Sequence, residues 1–189
     1  MFLVLDTETT GLPGKRAPML SRKQEWPRIV EFAWIECETD EVINAEFDYL
    51  IKPDCYVIPE KATAIHGITT KKVLDEGKSL FSVLEKFHKS LEGSSFIVGH
   101  NVDFDINVIT SEASRLGISL PVNRYPKKCT MKSSARLCSI RRGSGYKYPS
   151  LPELYTVLFG LPPTGHHQAL SDARSCMKCY FELNRRGII

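Results

Sequence analysis

The chain opens on a short apolar run that ends in two carboxylates: Phe2-Leu3-Val4-Leu5 is followed at once by Asp6-Thr7-Glu8. Strand side chains alternate between faces, so this spacing puts Asp6 and Glu8 on one side of a strand spanning Phe2–Glu8. Two carboxylates held that close repel, and such a pair is relieved by a cation or by a proton. Hard oxygen ligands suit Mg²⁺ or Mn²⁺ better than zinc. Asp-x-Glu also arises by chance at solvated strand ends. The pair therefore gains meaning only if further carboxylates reach it from neighbouring elements.

Two later segments supply them. Phe96-Ile97-Val98 has the apolar, β-branched character of a buried strand, and Gly99-His100-Asn101 breaks it. Asn101 is a fair N-cap for a helix from Val102 to Leu116, with Phe104, Val108, Ile109 and Leu116 spaced for one face and Gly117 as its stop. Asp105 then falls in the first turn, where a carboxylate suits the helix dipole with or without a metal. The last segment, Gly165-His166-His167-Gln168-Ala169-Leu170-Ser171-Asp172, opens a helix reaching Asn184. Its core stripe is Leu170, Ala173, Met177, Tyr180 and Phe181. His167 precedes Asp172 by five residues, about one and a half turns. It shares a side with Asp172 only loosely if the helix includes it, and it sits on a loop if the helix starts near Ala169.

Between these segments, Ile29–Glu36 and Glu46–Ile51 have strand character, giving an antiparallel meander with the first strand. Ser79–Leu91 is helical, with Leu80, Val83, Leu84, Phe87 and Leu91 on its apolar face. A fifth strand is expected near Lys128–Met131 and a further helix at Leu151–Phe159. Strands first, then alternating helix and strand, predict an α/β fold: a mixed sheet of about five strands covered by helices. At 189 residues, 42% hydrophobic and 25% charged, the chain suits one domain over 1–189 with a single good core. No apolar run approaches the ~18–20 residues of a membrane span. The six cysteines show neither zinc-site nor disulfide spacing, which fits a reducing, cytoplasmic setting.

Asp6-Thr7-Glu8-Thr9-Thr10-Gly11-Leu12, His100-Asn101-Val102-Asp103-Phe104-Asp105 and His167-Gln168-Ala169-Leu170-Ser171-Asp172 resemble, in order and separation, the three motifs of the DEDDh (DnaQ-like) 3′→5′ exonucleases. That family includes the proofreading epsilon subunit of bacterial DNA polymerase III and stand-alone relatives. Ile65-His66-Gly67-Ile68-Thr69 and Pro149-Ser150-Leu151-Pro152-Glu153-Leu154-Tyr155 are similar to segments those proteins carry between and before the motifs. The resemblance implies an RNase H-like fold with helices on both faces of the sheet. It makes Asp6, Glu8, Asp105 and Asp172 the ligands of two Mg²⁺ or Mn²⁺ ions, and His167 the general base.

The same resemblance brings Thr9, Gly11, Leu12 and His66 to the terminal nucleotide, with Asn101 either a cap or a further contact. His100 and the two tryptophans, Trp26 and Trp34, are expected to serve structure, and Asp103 to be solvated. The implied partners are single-stranded nucleic acid 3′ ends and DNA replication or repair proteins, with no membrane. Epsilon-like proteins that join a polymerase carry a tail beyond the last helix, so a stand-alone nuclease is expected at least as much as a tethered proofreader. A non-catalytic binding module on the same fold and a different metal-dependent phosphoryl hydrolase are the competing expectations.

Net charge is only +3, which does not announce a nucleic-acid binder. Its distribution is more suggestive. Lys127, Lys128, Lys132, Arg136, Arg141, Arg142 and Lys147 occur without an intervening acid, and Tyr146 and Tyr148 close the stretch. Such a segment can follow a phosphate backbone and stack bases, although a solvated charge run explains it equally well. Pro13–Arg28 is expected to form a mobile loop beside the site.

Overall fold

A computed structural model describes residues 1–14, 26–143, 145–165 and 167–189, so most of the Pro13–Arg28 loop, together with His166, lies outside the described residues. β1 (Phe2–Thr9), β2 (Ile29–Cys37) and β3 (Ile43–Leu50) form the antiparallel meander. Three helices follow, α1 (Glu60–His66), α2 (Thr70–Glu76) and α3 (Leu80–Glu92). Next come β4 (Ile97–Gly99), α4 (Val102–Arg115) and β5 (Lys127–Cys129). Short helices α5 (Thr130–Ser133) and α6 (Ala135–Cys138), a small hairpin of β6 (Arg141–Arg142) and β7 (Gly145–Tyr146), then α7 (Leu151–Phe159) and α8 (Ala169–Arg185) complete the chain. β4 runs parallel to β1 and β5 parallel to β4, so the sheet order is β3-β2-β1-β4-β5. This is the expected five-stranded mixed sheet with helices on both faces.

β1 is central because its first half can be buried on both sides. Phe2, Leu3, Val4 and Leu5 are all fully buried, as a continuous apolar run allows and a strict alternation would not. Leu3, Leu5, Phe32 and Trp34 pack against α3 and α4. Phe2, Val4, Ile35 and Val98 pack against α7 and α8. Continuing that alternation sends Thr7 toward the α4 side and Asp6 and Glu8 toward the α8 side. The parity of one strand thus serves two cores and then, past Leu5, aims its polar residues at two different helices.

Several boundaries differ from those the sequence predicts. β5 ends at Cys129 instead of running to Met131, because Thr130 turns inward, fully buried, and its hydroxyl lies within hydrogen-bonding distance of the Gly99 carbonyl and the His100 ring. α4 stops at Arg115; Gly117, at φ 70°, reverses the chain and leaves Leu116 turned to solvent at 40% exposure. Leu116 therefore does not belong to the core face. α1 and α2, seven residues each, carry too few apolar positions to show a helical period. α7 begins with a full capping box between Ser150 and Glu153. Trp34 is fully buried with its indole N–H donating to Ser90, and Trp26 packs on Phe104, so both tryptophans serve packing.

Candidate active site

The carboxyl ends of β1 and β4 and the first turns of α4 and α8 meet at one edge of the sheet, where β1, α4 and α8 contribute acidic side chains. Asp6 and Glu8 come from β1 and remain partly exposed. Asp105 sits in the first turn of α4, only 3% exposed. One of its oxygens, Oδ1, accepts from both the Thr7 backbone N–H (3.1 Å) and the Thr7 hydroxyl (2.7 Å). Thr7 is thus the latch that lets the strand grip the helix while its neighbours face the other way. Asp172 lies in the first turn of α8, 6% exposed.

Charge crowding follows from that convergence. Burial, and after it the repulsion of Asp105, Asp172, Glu8 and Glu31, raises the Asp6 carboxyl well above the usual carboxylate range. Burial first, then Asp172, Glu31 and Asp105, pushes Glu8 up to about 8. Burial pushes Asp105 up to about 7, although the Thr7 hydrogen bonds pull the other way. Side chains this reluctant to ionise together are suited to taking up a cation in place of protons. Glu8, His167 and Asp172 can each bring a ligand atom within 4.8 Å of the others.

α8 begins at Ala169, which settles the position of His167: it stands on the loop before the helix. Its φ of 67° is left-handed, uncommon for a non-glycine residue, and its backbone N–H donates to Asp172 Oδ2 at 3.2 Å. The loop is folded back on the helix, because the Ser171 hydroxyl donates to the Thr164 carbonyl at 2.8 Å. Gly165 makes that fold possible; a Cβ there would lie 2.7 Å from the Ser171 oxygen.

The other residues singled out in the sequence fall into two groups. Thr9, Gly11, Leu12 and His66 gather at the mouth. The Thr9 hydroxyl donates to the Gly11 carbonyl at 2.7 Å, and Leu12 is 85% exposed. His66 is buried beneath Thr9, its Nδ1 accepting from the Ile68 N–H at 3.0 Å. Burial, opposed by the Thr9 backbone and aided by nearby His167, lowers its pKa. Asn101 is a correction: its side chain makes no capping bond. It adopts φ 72°, ψ 39°, and its exposed position turns the chain from β4 into α4 through the left-handed region that asparagine tolerates.

His100 is structural, bridging Thr130 Oγ1 (3.0 Å) and the Pro149 carbonyl (3.0 Å), and burial pushes its pKa down to about 4. Asp103 faces solvent, paired with Lys132 at 2.5 Å. A family model described as an exonuclease, RNase_T, matches residues 3–180.

The chain belongs to this exonuclease family. Among curated exonuclease relatives, a PolC-type DNA polymerase III of Thermotoga petrophila is 31% identical over 173 residues, which is 92% of this chain and 11% of that protein. The Escherichia coli K12 DNA polymerase III subunit epsilon is 31% identical over 119 residues, 63% of this chain and 46% of that one. The chain therefore spans about a tenth to a half of the length of these relatives. Among solved structures, Exonuclease X bound to 5′ overhanging duplex DNA is 30% identical, with a TM-score of 0.65 over 99% of this chain and 93% of that one. E. coli Exonuclease I in complex with a dT13 oligonucleotide shares the fold, with a TM-score of 0.76 at 20% identity over 98% of this chain and 41% of that one.

One buried acid beside these carboxylates is missed by the sequence reading. Glu31 of β2 is buried directly across from Glu8 in the strand register. A glutamate in the middle of a strand otherwise rich in apolar residues was the available signal, since an acidic side chain is seldom buried without a partner.

Proposed function

We propose that this chain is a metal-dependent 3′→5′ exonuclease that releases nucleoside 5′-monophosphates from single-stranded or frayed DNA ends, as one catalytic domain. The observation that carries the reading is the meeting of Asp6, Glu8, Asp105 and Asp172, drawn from three separate elements, with His167 beside Asp172. The solved relatives bound to DNA support a nucleic-acid substrate. The epsilon and PolC relatives support a replication or repair setting in the cytoplasm.

Asp6, Glu8, Asp105 and Asp172 would hold two Mg²⁺ or Mn²⁺ ions. When bound, such a pair lowers the pKa of the attacking water and stabilises the departing 3′ oxygen. The residues fit that role, because burial first and the neighbouring carboxylates second make Asp6 and Glu8 bind protons tightly without a cation. His167, partly exposed at the rim, accepts the proton of the attacking water. Thr9, Gly11 and Leu12 flank the terminal nucleotide, and His66 supports Thr9 from below.

The basic segment supports a single-stranded substrate. His100 lies within hydrogen-bonding distance of Thr130 on one side and the Pro149 carbonyl on the other, so both ends of this segment are tied to the turn after β4. Lys132 and Lys147 are engaged by Asp103 and Glu153, while Arg141 and Arg142 form an exposed hairpin beside Tyr146 and Tyr148. Cations and open aromatic faces together suit a single strand.

The test uses DNA and RNA oligonucleotides labelled at the 5′ end, with Mg²⁺ or Mn²⁺ and an EDTA control. A shrinking ladder, stopped by EDTA and by a 3′-phosphorothioate, is expected, and the faster substrate identifies the sugar preference. Intact oligonucleotides after incubation with folded, metal-binding protein would overturn the proposal.

A further inference from the structure

Glu31 has no part in the reaction just described, yet its placement is costly. It sits directly opposite Glu8 in the β1–β2 register, on the same face of the sheet, and is 8% exposed. Like charges facing each other across two strands are destabilising, and a buried carboxylate needs a partner. Its partner is remote in sequence: Glu31 Oε2 accepts the backbone N–H of Ala169 at 2.8 Å. Ala169 is the first residue of α8, whose N-cap residue, Gln168, supplies no side-chain cap. A carboxylate from another strand therefore takes one of the helix's orphan N–H groups and faces the positive end of its dipole.

We propose that Glu31 is a positioning residue for the exonuclease reaction: by holding the Ala169 amide, it fixes where α8 begins and so where His167 and Asp172 stand against Glu8. This rests on the exonuclease reading above. Ala169 lies between the two residues it positions. On one side, the Asp172 N–H donates to the Gln168 carbonyl at 2.9 Å; on the other, the His167 N–H donates to Asp172. The left-handed His167 backbone is a strained conformation that persists only where its surroundings enforce it. Releasing the Ala169 amide frees the first turn to unwind and carries His167 away from Asp172.

The test compares Glu31→Ala, Glu31→Gln and Ala169→Pro in the full chain. The small substrate is the p-nitrophenyl ester of thymidine 5′-monophosphate, which reports the reacting centre without contacts to a longer strand. Glu31→Ala should lower kcat ~10–100-fold with KM within ~3-fold of the parent. Glu31→Gln, whose carboxamide oxygen can still accept from Ala169, should restore most of the loss. Ala169→Pro removes the donor at a helix position that tolerates proline, after a residue already in extended backbone (φ −132°, ψ 124°). It should lower kcat like Glu31→Ala, and the double variant should be no worse than Glu31→Ala alone.

Hydrogen exchange of the first-turn amides of α8, read without substrate, should show ~10-fold less protection in Glu31→Ala and parental protection in Glu31→Gln. Parental kcat and exchange in Glu31→Ala, or a Gln variant as impaired as the Ala variant, would overturn the proposal. A parent protein inactive on every substrate would refute the exonuclease reading instead, while the exchange measurement would still decide whether Glu31 holds the helix.

Discussion

Glu8→Gln should make the metal-free protein more stable, even though it removes a proposed metal ligand. The folded protein raises this carboxyl from an ordinary 4.5 to about 8, through burial first and Asp172 second. The native state therefore holds the proton more tightly than the unfolded chain. Stability is intact below pH 4.5 and is lost as pH climbs toward 8. At pH 7.5 the ionisation carries a folding penalty of about 4 kcal/mol for a fully shielded group. Water reaches part of the side chain, which brings the figure to about 2 kcal/mol. With an unfolding entropy near 2.1 cal/mol/K per residue, ~0.4 kcal/mol/K for a chain of this length, the variant should melt about 5 °C higher. Thermal melts in EDTA at pH 7.5 and pH 5 provide the assay. The gain should shrink to within about 1 °C at pH 5, and saturating Mg²⁺ should reverse the order by stabilising only the parent. A variant that melts at or below the parent in EDTA at pH 7.5 would refute the reasoning, because the site's repulsion would then be no burden on the fold.

Asp172→Asn should abolish detectable Mg²⁺-dependent shortening of a labelled oligonucleotide while circular dichroism stays native; near-parental shortening would remove Asp172 from the metal set. His167→Ala should lower turnover ~10²–10⁴-fold and flatten its rise with pH below about 7, and an unchanged pH profile would assign the base elsewhere. Glu112→Ala should destabilise by about 2–3 kcal/mol, or about 5–8 °C in Tm. Its carboxylate, 1% exposed, accepts from Arg28 Nε at 2.7 Å and the Ile29 N–H at 3.0 Å, and the arginine's contact with solvent keeps the loss below that of a sealed pair. A melting shift under about 2 °C would show that the cluster is not a stabilising unit.

How much of this was legible in the sequence depends on the distance over which each feature is determined. The apolar run Phe2–Leu5 and the stripe of α8 are local patterns that appear where the sequence predicts them, and the strand expected at Phe96–Val98 forms one residue later, at Ile97–Gly99. The carboxylates of β1 could be assigned to one face by parity alone. The start of α8 was ambiguous in the sequence because Gln168 is an indifferent cap, and the structure resolves it by means that no local pattern carries. Asn101 has the composition of an N-cap but spends its conformational freedom on the turn instead. Thr130 has the β-branched character of a strand residue, yet its buried hydroxyl redirects it into a helix.

The two glutamates buried among the described residues show why the remainder was out of reach. Glu112 binds the N–H of Ile29, 83 residues away, and Glu31 binds that of Ala169, 138 residues away. Each satisfies a backbone donor at the end of an element that leads into the site. Glu112 does so where the chain re-enters the sheet; there the Arg28 carbonyl accepts from Thr10 at 3.0 Å. Glu31 does so where α8 begins. A motif records residues that must face the substrate, and those are constrained along a few consecutive positions. The residues that hold such motifs against each other are constrained only in space, by the geometry of one N–H and one oxygen, so their sequence signal is a lone acid in an apolar stretch. In this fold the unexplained buried acid is therefore the signature to search for when the catalytic motifs themselves have already been found.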